Sequence, residues 1–306
     1  MAVYPVAAGL TSHSGTYTPE IWSGKTLVKF YTATVFAAIS NTDYEGEIKK
    51  HGDTVHIRTI PDIVIHDYTI GQDLESERPK PGKVDLLIDK GKYYSIAINK
   101  VEMVQSDINY MEKWTDDAGE QMKIKIDSDI LSDVYASADT YNKGATAGKK
   151  SGGIDLGATG AWETVDKTNI LDYIVDMGTC LDENDVPETG RWLVFPAIFV
   201  GMIKKSDLKD ASLAGDGTSI MRNGRVGIID RFTTYSSNQV HATTDGVTTV
   251  QDCIFGHPSA ITFASQITES RVIPNPKDFG DLMQGLQVFG YEVIKAQALG
   301  HFYAKK

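Results

Sequence analysis

Hydrophobic residues recur at steps of three and four from Ser106 to about Ala138, the longest regular pattern in the chain. Met111, Trp114, Ala118, Met122, Ile126, Ile130 and Val134 fall on one face of a 3.6-residue period, which predicts one long helix with a buried side. Ser106 suits the N-cap, Asp107 suits the positive end of the helix dipole, and no proline interrupts the run. At 1.5 Å per residue the helix would be roughly 50 Å long. A second apolar set, Ile124, Leu131, Tyr135 and Ala138, widens the stripe beyond a coiled-coil seam, so the helix should lie across a sheet or other helices. Its charged face, Glu112, Asp116, Lys123 and Asp127, is expected to point away from that core.

Around this spine the pattern changes period. Residues 1–17 show none and read as an extended arm. Thr18, Pro19 and Glu20 open a helix that carries Trp22, Leu27, Phe30, Tyr31, Val35 and Ile39. Strand text follows over Val55–Ile60 and Ile63–Ile70, a polar tip over 71–83, and a further strand over Val84–Asn99. A two-stranded excursion of this length is marginal alone in water, so it should lie against a neighbouring molecule or another domain. The alternative is two inner strands of a single sheet. Residues 140–162, rich in Gly, Ala, Ser and Thr, predict a flexible linker and domain boundary. Beyond it come a helix over Asn169–Leu181, a break over Asp185–Gly190, a buried strand over Arg191–Pro196 and a helix over Ala197–Lys205. Strands are expected at Val226–Tyr235, Thr248–Phe255 and Leu286–Ala296, before a basic tail of Lys305 and Lys306. Helices and strands mix without βαβ repetition, which makes the chain α+β.

Composition narrows the function. The chain has 306 residues, 41% hydrophobic and 23% charged, enough for a sizeable core in one or two domains. A net charge of −11 argues against a dedicated nucleic-acid binder. Cys180 and Cys253 are far apart and form no CxxC, so two free thiols in a reducing compartment are expected. No signal-peptide pattern and no run of about 18 apolar residues is present, so no membrane role is expected.

Candidate chemistry is sparse. Gly144-Ala-Thr-Ala-Gly148-Lys149-Lys150-Ser151 approaches a phosphate-binding loop, but it is one residue short and no helix text follows. The seven histidines show no i, i+4 pair and read as satisfied surface residues, with His56 and His66 sharing a hairpin face at most. Asp182-Glu183-Asn184-Asp185 lacks the glycine and distant glutamate of a calcium loop and reads as a solvated helix end. Asp116 and Asp117 read as a charged outer face. No catalytic residue, cofactor site or metal site is expected.

The order of elements, with the segments Tyr17–Trp22, Asn41–Ile48, Gln105–Ile108, Gly190–Trp192, Ser206–Leu213, Asn223–Phe232 and Ile254–Gln266, resembles the major capsid proteins of tailed bacteriophages, which share the Hong Kong 97-type fold with encapsulins. The resemblance implies an N-terminal arm and first helix (1–45), an extended β-hairpin loop (46–102), a peripheral domain with the spine helix (103–162 and 256–306) and an axial domain (163–255). It also implies a structural protein, not an enzyme, assembling with copies of itself as hexamers and pentamers into an icosahedral head around double-stranded DNA, with no sequence-specific DNA binding. An encapsulin-like compartment around a cargo enzyme is the alternative. Portal and separate scaffolding proteins are the implied partners, a cement protein is compatible, and the location is the virion, after assembly in the host cytoplasm. Intersubunit contacts are expected at Arg58, Asp67, Glu75, Glu77, Arg78, Lys80 and Lys83 in the loop. Lys80, Lys83, Lys90 and Lys92 read as solvating charges, not crosslinking residues.

Overall fold

The computed structural model describes residues 34–44, 54–61, 63–105, 110–206 and 228–306. Its elements in order are α1 (Phe36–Ile39), β1 (Thr54–Arg58), β2 (Lys83–Leu87), β3 (Lys90–Asn99), α2 (Lys100–Gln105), α3 (Tyr110–Asp133), β4 (Glu163–Thr164), α4 (Ile170–Glu183), β5 (Trp192–Phe195) and α5 (Ala197–Lys205). The remainder is β: β6 (Ile228–Ile229), β7 (Phe232–Ser236), β8 (Ala242–Asp245), β9 (Thr248–Gly256), β10 (Ile261–Pro274), β11 (Gly280–Val293) and β12 (Leu299–Lys305).

The spine is α3. It ends at Asp133 and tightens into a 3-10 turn over Val134–Ser137, so the expected helical run to Ala138 closes one turn early as α-helix. The expected cap at Ser106 and Asp107 lies outside the described residues, as does the first helix before residue 34. Burial follows the stripe only in the C-terminal half. Ile126, Ile130, Leu131, Val134 and Ala138 are buried, whereas Trp114 is exposed, although Thr115 beside it still reaches Met283 of β11. Asp127, expected on the solvent face, is fully buried: one carboxylate oxygen accepts the amides of Val35 at 3.1 Å and Phe36 at 2.9 Å, tying α1 to the spine.

The spine lies on a three-stranded antiparallel sheet ordered β10-β11-β3. Side chains on the helix-facing side fasten the two layers. Lys92 of β3 pairs with Asp129 at 2.5 Å, and the Tyr291 hydroxyl of β11 donates to Asp133 at 3.0 Å. The Lys90 ammonium sits 4.5 Å from the centre of the Tyr291 ring, so Lys90 and Lys92 are structural ties and not free solvating charges. The single expected strand Val84–Asn99 is broken at Ile88–Asp89 into β2 and β3, which join different sheets.

A seven-stranded mixed sheet, ordered β4-β12-β9-β5-β7-β6 with β8 also on β9, forms the second layer system. β5 is buried at all four positions, as its continuous apolar run requires of an inner strand. α4 contributes Ile170, Ile174, Met177, Cys180 and Leu181, spaced at helical steps, to the same core. A Cβ at Gly178 would come within 2.6 Å of the Asp230 carboxylate, so glycine lets this helix approach the β6–β7 turn. Before the basic tail the chain forms strand β12, whose Phe302, Tyr303 and Ala304 are core residues between β9 and β4; of the two tail lysines, Lys305 ends the strand, partly exposed, and Lys306 is exposed beyond it.

The glycine-rich segment 140–162 is packed, not a flexible linker. Asn142, Ala147 and Leu156 are fully buried, and Asn142 donates to the carbonyls of Gln297 at 2.7 Å and Leu299 at 3.1 Å. Its glycines serve turns: Gly148 sits at φ +96°, a conformation other residues rarely adopt.

Candidate assembly surface and buried polar clusters

The excursion after β1 is a short-necked loop. β1 and β2 pair over five residues each, Thr54↔Leu87 to Arg58↔Lys83, and the Thr59 amide closes the neck on the Gly82 carbonyl at 3.0 Å. Ile57, Leu86, Ile88 and Ala264 form a small second core that anchors the neck to β10. Beyond the neck the expected strand Ile63–Ile70 is not formed: among the described residues it pairs with no other strand, and a turn closed by the Gln72 amide on the Thr69 carbonyl follows it. Residues of strand-forming type make a strand only beside a second one.

What this loop presents to solvent is unusual for a monomer. Ile60 is 93% exposed, Ile65 89% and Ile70 98%, with Ile63, Val64, Tyr68 and Leu74 also exposed. Contiguous apolar surface of this kind marks an interaction site. All seven charged residues expected to make intersubunit contacts, Arg58, Asp67, Glu75, Glu77, Arg78, Lys80 and Lys83, are exposed on the same excursion. Within the chain they are lightly engaged. Glu77 accepts the Val64 amide at 3.4 Å and lies 3.7 Å from His66, while Lys83 pairs with Asp85 at 3.0 Å. Hydrogen bonds from His56 and Lys83 hold Asp85 below the usual carboxylate range.

Buried polar groups elsewhere serve the fold. The Arg191 side chain, with no exposed surface, donates to Asp182 at 2.6 Å and to the carbonyls of Val186 (2.7 Å), Pro187 (3.0 Å) and Gly178 (3.3 Å). Arg231 holds the other Asp182 oxygen at 2.8 Å and Glu188 at 2.9 Å. Burial pushes the Asp182 carboxyl up, but hydrogen bonds from both arginines outweigh it and hold it low. The Asp182–Asp185 stretch is the end of α4, exposed at Asp182 and Asp185 as expected, and through Asp182 it also clamps that end to Arg191 and Arg231. The turn resembling a phosphate loop is also occupied from within: Glu183 accepts the amides of Lys150 at 2.6 Å and Ser151 at 3.1 Å. A carboxylate sits where a phosphate would need those donors.

The histidines divide. His56 is exposed and bonds Asp85, as a surface residue should. His241 and His301 instead converge on Asp252, only 2% exposed, at 2.7 and 3.0 Å, with the Thr243 hydroxyl at 2.7 Å; Tyr135 stacks on His241. This cluster borders a cleft of about 330 Å³ with Lys143 and Tyr303. No sequence spacing announces it, because the residues come from β8 and the residue before it, β9, β12 and the 3-10 turn after the spine. Among the described residues no group of three or more His, Cys, Asp or Glu is arranged to hold a metal ion. No described helix is long and apolar enough to cross a membrane.

The comparisons agree with this architecture. A family model described as phage capsid protein matches residues 84–298. A solved structure from Mycobacterium phage Che8 is 24% identical, with a TM-score of 0.77 over 94% of this chain and 97% of that one. The capsid structure of Cyanophage P-SCSP1u is 15% identical at TM-score 0.68, covering 97% of each chain. The bacteriophage PhiM1 mature capsid is 16% identical at 0.66, covering 98% of each. No curated protein matches the chain.

Proposed function

The chain belongs to the phage capsid protein family and has the α+β fold of the Hong Kong 97 type, and from that premise we propose how it works as a major capsid protein. It assembles with copies of itself as hexamers and pentamers into an icosahedral shell around double-stranded DNA. The observation that carries this reading is the loop 59–82, whose apolar residues have no cover among the described residues and would be covered by a neighbour. The charged residues from Arg58 to Lys83 then act as the polar rim of that contact and set its orientation. Many modest contacts closed by symmetry give a stable shell.

The two layer systems support a division into an N-terminal arm and first helix (1–45), the loop (46–102), a peripheral unit of spine helix and three-stranded sheet (103–162 and 256–306) and an axial unit (163–255). β12 crosses into the larger sheet and so joins the last two. DNA is held without sequence readout, consistent with the acidic balance of −11, and assembly takes place in the host cytoplasm with separate scaffolding and portal proteins. A cement protein would bind the finished shell. We assign no catalytic role. The family match does not favour a compartment built around a cargo enzyme.

Electron microscopy of the purified protein, alone and with a scaffolding partner, tests the reading. Shells are expected; small discrete oligomers under every condition would refute it, and shells filled with a folded enzyme would favour the compartment. Deleting Gln72–Lys83 should leave a folded chain that assembles poorly, because it removes the tip without touching the spine or either core. Unchanged assembly would refute the role given to the loop.

A further inference from the structure

We propose that Ile63–Ile70 of one copy adds as an antiparallel strand to the outer edge of β10 in a second copy, with Asp67 opposite Arg271. The inference rests on the shell-forming reading above and specifies the contact by which the loop engages its neighbour.

Two unfinished features define it. The first is Ile63–Ile70 itself: eight residues rich in β-branched side chains, exposed, and with no ladder partner among the described residues. The second is β10, the terminal strand of the β10-β11-β3 sheet. Near its start Asn41 bridges to Thr262, but among the described residues no strand lies on its outer edge over Glu269–Pro274. Such an edge is a template for another strand.

The side chains select a register. On β10, Arg271 shares a face with Gln284 and Ser95: its Nε donates to Gln284 at 3.1 Å, and Gln284 donates to Ser95 at 3.3 Å. This face also carries Tyr93 and Leu286 and borders a cleft of about 570 Å³. With Asp67 opposite Arg271, antiparallel pairing places Ile65 opposite Ile273 and Thr69 opposite Glu269 on this face. His66 then meets Val272, and Tyr68 meets Ser270, on the other. Each cross-strand pair is compatible, and the one pair of full charges is of opposite sign. A slip of one residue would put Asp67 against Val272 and send Ile65 to the opposite face, so the register is specified. The charges on Glu269 and Arg271 that would blunt a bare edge against indiscriminate pairing become selective for a strand carrying Asp67.

Hydrogen exchange of the wild-type chain, unassembled and in shells, tests the pairing together with disulfide trapping of D67C/R271C. Cys180 and Cys253 are fully buried and leave a low background. In shells, backbone amides in 63–70 and 269–274 should slow together. Oxidised D67C/R271C should shift on a denaturing gel from the monomer band to interchain multimers that reductant collapses, while H66C/R271C, whose side chains face opposite sides, should stay monomeric. Shells in which both wild-type segments exchange as they do in the unassembled chain would overturn the pairing and leave the capsid reading intact. A D67C/R271C link confined to the monomer band would overturn it as an intermolecular contact. If that variant does not assemble, the wild-type exchange decides. Absence of shells under all conditions would overturn the capsid reading, and the pairing with it.

Discussion

Replacing Arg191 by methionine should be among the most destabilising single changes at a polar position in this chain. The guanidinium is wholly buried and serves four acceptors: Asp182 and the carbonyls of Gly178, Val186 and Pro187. The Val186 and Pro187 carbonyls lie in the turn that follows α4, where no helical amide meets them, whereas the Gly178 carbonyl lies inside the helix and keeps its i+4 amide. Methionine fills most of the volume, so little cavity is added, but two carbonyls lose a donor at about 1 kcal/mol or more each. Asp182 keeps Arg231 and is 39% exposed, so its loss is screened by water and adds less than about 1 kcal/mol. The sum is about 2–4 kcal/mol, against the roughly 5–15 kcal/mol that holds a typical domain. Denaturant unfolding of the unassembled variant should show a lower midpoint with an unchanged slope, as expected for lost stability in the same native state. Arg191→Lys should recover less than half, because one ammonium cannot span the fork of acceptors. A shift worth less than about 1 kcal/mol for the methionine variant would refute the clamp.

Further outcomes follow from other buried groups. Asp127→Asn keeps an oxygen for the amides of Val35 and Phe36 and removes a charge whose pKa burial raises, so its stability should stay within about 1 kcal/mol of wild type. Asp127→Ala strands both amides and should cost about 1–3 kcal/mol in the same denaturation assay. Burial pushes Asp252 up, yet hydrogen bonds from His301, Thr243 and His241 outweigh it and hold its pKa below the ordinary value. A carboxyl depressed in the folded state contributes stability that is complete above its unfolded pKa, near 3.9, and is lost as pH falls through the lower folded value. Melting temperatures between neutral pH and pH 3 should therefore fall more steeply in wild type than in Asp252→Asn, which starts lower; parallel curves would rule this out. Burial pushes the Cys180 thiol up to about 12 and Cys253 well above its usual value, so a thiol reagent at neutral pH should label neither in the native chain and both after unfolding.

The exposed loop was legible in part. An excursion could be read from two strand-like runs around a polar tip, and the seven charged residues given to contacts are all exposed. Its apolar content was legible as strand text and hid the more telling fact, that Ile60, Ile65 and Ile70 lie bare. Burial is a property of what sits opposite a side chain, and nothing local encodes it. The same limit explains Asp127, placed by periodicity among charged neighbours yet covered by α1, which arrives from 92 residues earlier in the chain. The Asp252 cluster was beyond reach for a related reason: Thr243, Asp252 and His301 lie on three strands brought together only by the sheet, with His241 just before the first of them.

The local patterns that needed no distant partner came through almost unchanged. α4, β5 and α5 sit within a residue or two of where periodicity, the break at Asp185–Gly190 and Pro196 put them, because a helix satisfies its backbone within four residues and a continuous apolar run can only be inside. Tertiary structure decided the rest. It chose which strand text would be paired, leaving Ile63–Ile70 without a ladder among the described residues and burying Phe302–Ala304 in β12 just ahead of the basic tail. It turned the glycine-rich segment into a packed loop, since Asn142 and Leu156 found burial that composition could not foresee. It buried the later turns of the spine helix more completely than the earlier ones. A strand's hydrogen bonds and a side chain's burial are both completed by something remote in sequence, and for the loop of this capsid protein that remote partner is proposed to be another copy of the chain.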